Sequence, residues 1–235
     1  VKVSSPPIGK YRDTNRYPSR GWNAYHVVYQ DAQRWLKEGI HDALFPMMYF
    51  QGNNFYPFAL DWKENDGKRW IIPGLGIYFL SPREQDWPLD EIVRQIHFTR
   101  QIKLNGQAYF RNRFLLDNTK GVLDELEENF YTYPALIPPM TWSDSIPPSV
   151  PSHPSVQQIA NGKLRMSWQA SADNSNQSVV YHLYGSDTYP VDIKQPQNLI
   201  ATHLIANEYE YTAKLPWLQK RYFAVTAADR FGNES

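Results

Sequence analysis

Residues 39–51 have the sequence Gly39-Ile40-His41-Asp42-Ala43-Leu44-Phe45-Pro46-Met47-Met48-Tyr49-Phe50-Gln51. A glycine in first place is typical of the end of a helix, and the apolar run after it has the length of a buried strand. Continuous apolar strands between helical patterns are typical of parallel sheets that are covered on both faces. Ligands bind at the carboxyl ends of such strands, so the sequence predicts a site at Tyr49 to Asn54.

Composition limits the class of protein. The 235 residues carry 24 Lys and Arg against 24 Asp and Glu, and such a balance argues against a nucleic-acid partner or an anionic membrane surface. There is no cysteine, so disulfides and thiolate nucleophiles are excluded. No apolar run reaches the roughly 18 residues of a membrane span. Because Val1 already belongs to a strand-like pattern, we expect the chain to be a piece of a longer protein.

Strand and helix patterns alternate through the first 132 residues. Such alternation predicts parallel strands with right-handed crossovers, and four units make half of an eight-unit barrel. The predicted fold class is therefore α/β, a half (β/α)8-barrel. Its strands are expected at 1–5, 39–51, 70–80 and 107–112, and its helices at 23–38, 58–64, 88–103 and 121–130.

The amino-acid composition of the chain changes after residue 132. Seven prolines between Tyr133 and Pro154 favour an extended chain and mark a domain boundary. We place the domains at 1–145 and 146–235. The second domain has short alternating segments that predict an all-β sandwich, at 164–168, 179–184, 208–212 and 221–227.

Several phrases of the first domain resemble a known family. They are Ser5-Pro6 with Gly9-Lys10-Tyr11-Arg12, Tyr29-Gln30-Asp31-Ala32 with Trp35 and Gly39, Asp42 to Tyr49, and Pro73-Gly74-Leu75. Through these segments, residues 1 to about 145 resemble the C-terminal half of the family-10-like glycoside hydrolase barrels of bacterial envelope proteins. The resemblance implies hydrolysis of a bacterial polysaccharide or cell-wall glycan, and an extracytoplasmic location. The family barrel has eight strands, and its first half is not in this chain.

The second domain resembles a fibronectin type III module. Trp168 falls in the second strand, Leu215-Pro216 precedes the sixth, and Tyr222 opens that sixth strand. Phe231-Gly232-Asn233 has the pattern of the next hairpin turn. Ser235 stands where the last strand would begin, so we expect this module to be truncated.

Candidate substrate contacts follow the strand at residues 39–51. Amides hydrogen-bond sugar hydroxyls and aromatic rings stack on sugar faces, so we expect contacts from Tyr49, Gln51, Asn53 and Asn54. Further contacts at the same end of the sheet are expected from Trp62, Tyr78, Arg111 and Arg12. Plain loop packing is the alternative for all of them. The two arginines would bind the carboxylate of an acidic sugar or pair with neighbouring aspartates.

Catalytic residues are not identified by the sequence. Most glycosidases need two carboxylates about 5 to 9.5 Å apart. Asp42 lies at the amino end of its strand, where a structural role is expected. The resemblance implies that at least one key carboxylate lies on the missing half. The other acids near strand ends all lie in loops or short helices, at Asp13, Asp61, Glu64, Glu84, Asp86 and Asp117.

Patterns for cofactors are weak, and none is expected. Gly74-Leu75-Gly76 is followed neither by a third glycine nor directly by a helix, which argues against a dinucleotide site. The six histidines have no metal-ligand spacing, so no metal is predicted.

Two classes of function remain open. The first is a fragment of a glycoside hydrolase with an oligo- or polysaccharide partner. The second is a non-catalytic carbohydrate-binding or adhesion protein. A half-barrel also exposes sheet edges at Val1-Lys2-Val3 and Gln107 to Arg111, so we expect a homodimer that closes the half-barrel. Alternatively, loops or the second domain cover the gap.

Overall fold

A computed structural model describes residues 2–213 and 220–235. Contacts within the chain define two units, Val1–Phe130 and Tyr131–Ser235. The sequence-based boundary at residue 145 stays a prediction. The predictions made for Val1 and for Leu215-Pro216 concern residues outside these ranges. Among those residues, no helix is both long and apolar enough to cross a bilayer.

Unit 1 combines short strands with helices. Its strands are β1 Ser4–Ser5, β2 Ala43–Leu44, β3 Trp70–Ile71, β4 Gly74–Leu75 and β5 Ala108–Tyr109. Its α-helices are α1 Ala24–Val27, α2 Ala32–Lys37, α3 Tyr56–Glu64, α4 Leu89–Gln101, α5 Asn112–Leu116 and α6 Val122–Glu125. Three 3₁₀ turns and one π turn complete it, at Gly52–Asn54, Ile77–Leu80, Thr119–Gly121 and Leu126–Phe130.

All strand pairs of unit 1 are parallel. One sheet has the order β1-β2-β3, and β4 pairs with β5. Met47, three residues beyond β2, forms parallel bridges to Ile8 and to Gly74. Four successive chain segments are therefore neighbours in sequence order, and the α/β character is confirmed. The described residues form no closed barrel.

The core of unit 1 lies between the strands and the helices. Leu44, Ile71 and Leu75 are fully buried on the strand side, and Phe58 and Trp62 of α3 are fully buried on the helix side. Only Ala43–Leu44 of the strand predicted at 39–51 is β-strand, but this segment supplies core residues. Gly39 follows the preceding helix at a φ of +73°, as predicted.

Two predicted elements of unit 1 are wrong in detail. The helix expected at 23–38 is split into α1 and α2, because Tyr29 has a φ of +56°, which a right-handed helix does not allow. The strand expected through residue 80 stops at Leu75, and Ile77–Leu80 forms a 3₁₀ turn. Periodicity alone does not separate a short apolar strand from a buried helical turn.

Unit 2 consists of two antiparallel three-stranded sheets. Their orders are β10-β7-β6 and β11-β8-β9. The strands are β6 Ser152–Ala160, β7 Lys163–Gln169, β8 Val180–Ser186, β9 Leu199–Leu204, β10 Glu208–Thr212 and β11 Tyr222–Ala228. The four predicted segments became β7, β8, β10 and β11. β6 and β9 were missed; β6 is exposed along its whole length and contains Pro154, which a strand tolerates at a sheet edge.

Candidate functional site

A pocket of about 570 Å³ opens in unit 1. This volume lies within the range of ordinary ligand sites. Its described lining residues lie in three chain segments, and each segment follows a parallel strand, namely β1, β2 or β4. The pocket is lined by Ile8, Trp22, Met47, Tyr49, Phe50, Gln51, Asn54, Tyr78, Phe79, Gln85 and Trp87.

Three aromatic rings at the strand ends contact one another. Tyr49 stacks on Phe110 with ring centroids 5.2 Å apart. Tyr78 meets both rings edge-on, at 5.8 Å from Tyr49 and 5.6 Å from Phe110. The rings of Tyr49, Tyr78 and Phe110 therefore lie together at one end of their strands.

The glycines at 74 and 76 make room for Tyr49. A Cβ on Gly76 would lie 3.1 Å from the Cβ of Tyr49, and a Cβ on Gly74 would lie 3.2 Å from its ring. Both approaches are tighter than an ordinary side-chain contact. The Gly-Leu-Gly sequence therefore provides a surface against which an aromatic wall of the pocket packs.

Burial raises the pKa of both pocket tyrosines above the usual value of a phenol. For Tyr78 the charge of Glu84 adds to the increase, and the guanidinium of Arg111 opposes it. Both phenols therefore stay neutral at physiological pH, so each can donate a hydrogen bond to a ligand.

A buried lysine joins two walls of the pocket. The side chain of Lys10, 4% exposed, donates from Nζ to Oδ1 of Asn54 at 2.7 Å and to the carbonyl oxygen of Ser19 at 2.9 Å. Its ammonium also lies 4.6 Å from the ring centre of Phe50. Burial lowers the pKa of Lys10. The contact to Ser19 holds the loop that carries Trp22 to the pocket.

Helix α4 supports the opposite side of Phe50. The amide of Gln95, which is fully buried, donates from Nε2 to the carbonyl oxygen of Phe50 and to Oε1 of Glu91, each at 2.9 Å. Arg94 donates to the other carboxylate oxygen of Glu91 at 2.8 Å. The backbone of the pocket is therefore fixed from both the loop side and the helix side.

The predicted site residues divide into two groups. Tyr49, Gln51, Asn54 and Tyr78 line the pocket. The remaining four are not among its lining residues; they are Asn53, Trp62, Arg111 and Arg12.

The positions of that second group explain why. Asn53 is exposed in a 3₁₀ turn. Trp62 is corrected to a core position, because it is fully buried and its Nε1 donates to the carbonyl oxygen of Gly9 at 2.7 Å. Arg111 lies over the ring of Phe114, and Arg12 lies near the ring of Tyr11.

Several lining residues were not predicted. Trp22, Phe79, Gln85 and Trp87 belong to the pocket although the sequence analysis did not select them. Trp22 lies in the loop after β1, and Gln85 and Trp87 lie in the loop that follows the third predicted strand. The rule that sites form at the carboxyl ends of parallel strands would have found them if it had been applied to all the loops.

Most of the candidate catalytic acids pair with residues that are not among those lining the pocket. Glu84 differs, because its charge reaches the lining residue Tyr78. None of the described lining residues is itself an acid. The partners of the other acids are Ser19 for Asp13, Gln33 for Asp61, Arg16 for Glu64, Lys120 for Asp86 and Arg113 for Asp117.

The chain is similar to a known glycosyl hydrolase along its whole length. That relative is glycosyl hydrolase YngK of Bacillus subtilis strain 168, which is 29% identical over 251 aligned residues. The alignment covers 100% of this chain and 48% of the relative, so the chain spans about half the length of the protein it matches. No protein-family model matches the chain.

Proposed function

We propose that the chain is part of a glycoside hydrolase and supplies one wall of its substrate cleft. The observation that carries this proposal is the similarity to a glycosyl hydrolase over all of the chain. The pocket supports it, because aromatic rings and side-chain amides stand together at the strand ends, as sugar binding requires. The expected substrate is a bacterial polysaccharide or cell-wall glycan.

We further propose that unit 1 is a family-10-like half-barrel and that unit 2 is a fibronectin type III-like domain. The four parallel neighbours of unit 1 support the first assignment. The two antiparallel sheets of unit 2 support the second.

A second function is favoured by one observation. The described residues lining the pocket include no carboxylate, whereas most glycosidases act through two. The chain taken alone is then a carbohydrate-binding or adhesion protein. The two functions are separated by incubating the chain with purified peptidoglycan and measuring bound protein and new reducing ends. Binding with release supports the hydrolase, and binding without release supports the binding protein. If the chain neither binds peptidoglycan nor releases reducing ends, both functions are contradicted.

Replacing Tyr49 or Gln51 with alanine is expected to weaken glycan binding without unfolding the protein. Each loses a ring contact or a hydrogen bond worth about 1 kcal/mol or more, which is roughly a fivefold to tenfold change in affinity. Calorimetric titration with soluble oligosaccharides released from peptidoglycan measures the change. Tyr29→Ala is the matched control, because that ring is 86% exposed and does not line the pocket. Wild-type affinity in both pocket variants would remove these residues from the site.

We also propose that the chain forms a homodimer. In the parallel order, β1 and β5 stand at the two ends, each with one strand neighbour among the described residues, and strands at the edge of a sheet associate readily. Static light scattering at micromolar concentration is expected to give twice the 27.5 kDa mass of the chain. A monomer mass across the concentration range would rule the dimer out.

A further inference from the structure

The amide of Asn54 has a fixed polarity. Lys10 donates to Oδ1 of Asn54 at 2.7 Å, and an ammonium carries hydrogens but no acceptor. The oxygen end of the amide must therefore face Lys10. Because Asn54 lines the pocket, the Nδ2 group at the other end of the amide is the one that remains for a ligand.

The amide of Gln85 is fixed in the same sense. The indole Nε1 of Trp87 donates to Oε1 of Gln85 at 2.9 Å. An indole nitrogen donates and does not accept, so Oε1 must face Trp87 and Nε2 is left as the free end. In both amides the oxygen therefore accepts from a donor-only neighbour, and the nitrogen lies at the end that faces away from that neighbour.

Two tyrosines add further donors to the pocket. Burial raises the pKa of Tyr49 and Tyr78, so each phenol keeps a hydrogen to donate, although its oxygen also accepts. The described lining includes no carboxylate, which would have been a strong acceptor. The positive charge of Lys10 behind Asn54 also polarises the amide and strengthens its N–H groups as donors.

We propose that this pocket selects sugars that carry a carbonyl or carboxylate oxygen, which is a stronger acceptor than an ether oxygen and has no hydrogen, and that Lys10 and Trp87 are the positioning residues that create this selectivity. The inference rests on the proposed carbohydrate-binding function. A sugar hydroxyl also accepts from these N–H groups, but its own hydrogen then needs an acceptor, and the two fixed amides offer it none. The oxygen of an acetamido group or of a uronate only accepts, so it gains from every donor that the pocket aims at it.

The test is calorimetric titration of the full chain with three tetrasaccharides. Chitotetraose offers acetamido carbonyls, tetragalacturonate offers carboxylates, and cellotetraose has neither group, only hydroxyls and ether oxygens. We expect one of the first two to bind at least about tenfold more tightly than cellotetraose, a difference of about 1.4 kcal/mol. Preference for chitotetraose assigns the acetamido group, and preference for tetragalacturonate assigns the carboxylate.

Asn54→Asp and Gln85→Glu test the polarity directly. Each new carboxylate still accepts from Lys10 or Trp87, so folding is retained, but it has no hydrogen to donate into the pocket. Affinity for the preferred tetrasaccharide is expected to fall at least about tenfold, whereas affinity for cellotetraose changes little. Asn53→Asp is the matched control, because it introduces the same charge one residue away, outside the lining.

Equal or tighter binding of cellotetraose would overturn the inference while leaving carbohydrate binding intact. So would wild-type affinity in both Asn54→Asp and Gln85→Glu, or an equal loss in Asn53→Asp. Absence of binding to all three tetrasaccharides would count against the proposed function, and the inference would fall with it.

Discussion

Replacing Trp62 with alanine is expected to destabilise unit 1 by about 3 to 5 kcal/mol, the usual cost of removing a large aromatic side chain from a core. The ring is fully buried and meets Tyr11 edge-on with centroids 5.8 Å apart. Its Nε1 also donates to the carbonyl oxygen of Gly9, which would lose this partner. A typical domain has a folding free energy of about 5 to 15 kcal/mol, so this single change removes much of it.

Urea unfolding followed by the helical circular-dichroism signal measures this loss, since all the described α-helices lie in unit 1. If the alanine variant does not fold, Trp62→Phe takes its place. This variant keeps a ring but loses the hydrogen bond, so its free energy of unfolding is expected to fall by about 1 kcal/mol. Trp22→Ala is the matched control. That ring is 66% exposed, so its removal should change stability by no more than about 0.5 kcal/mol. Equal midpoints for Trp62→Ala and Trp22→Ala would contradict the core assignment.

The strand β2, at the centre of residues 39–51, was predictable because burial on both faces leaves a continuous apolar run. From that strand, the rule that ligands bind at carboxyl ends led to Tyr49, Gln51 and Asn54, which line the pocket. This part of the site follows from the strand direction alone. It needs no knowledge of distant contacts, and for that reason the sequence was sufficient.

Trp62 shows a signal that the sequence contained and the prediction did not use. Phe58, Ala59 and Trp62 recur at helical spacing on α3, and all three are fully buried. This spacing places Trp62 on the inner face of its helix. Choosing it as a sugar platform relied on residue type, and the position within the helix decides which way the ring points.

Lys10 shows what the sequence could not supply. A lysine in a polar loop normally extends into water, because burying an ammonium costs free energy unless it is hydrogen-bonded. Here Ser19 lies 9 residues away and Asn54 lies 44 residues away, and their oxygens meet at Nζ. Contacts of this range depend on how the loops cross, which no local pattern encodes.

Replacing Gly9 with alanine is expected to destabilise unit 1 by about 3 kcal/mol, near the upper end of the usual cost of overpacking. The added Cβ would lie 2.4 Å from the carbonyl oxygen of Met47 and 2.8 Å from the Cα of Met48. Both are backbone atoms, so no side-chain rotation relieves the clash. The parallel bridge between Ile8 and Met47 would have to separate instead.

Gly74→Ala is the matched control for Gly9→Ala. Its Cβ would meet the ring of Tyr49 at 3.2 Å, and a ring can move where a backbone cannot, so about 1 kcal/mol is expected. Urea midpoints with unchanged slopes measure both costs. Gly9→Ala should also weaken glycan binding, because Met47 lines the pocket and the carbonyl oxygen of Gly9 holds Trp62. A Gly9→Ala protein as stable as the Gly74→Ala protein would contradict the close approach between Gly9 and the backbone of Met47, which places the added Cβ 2.4 Å from the Met47 carbonyl oxygen.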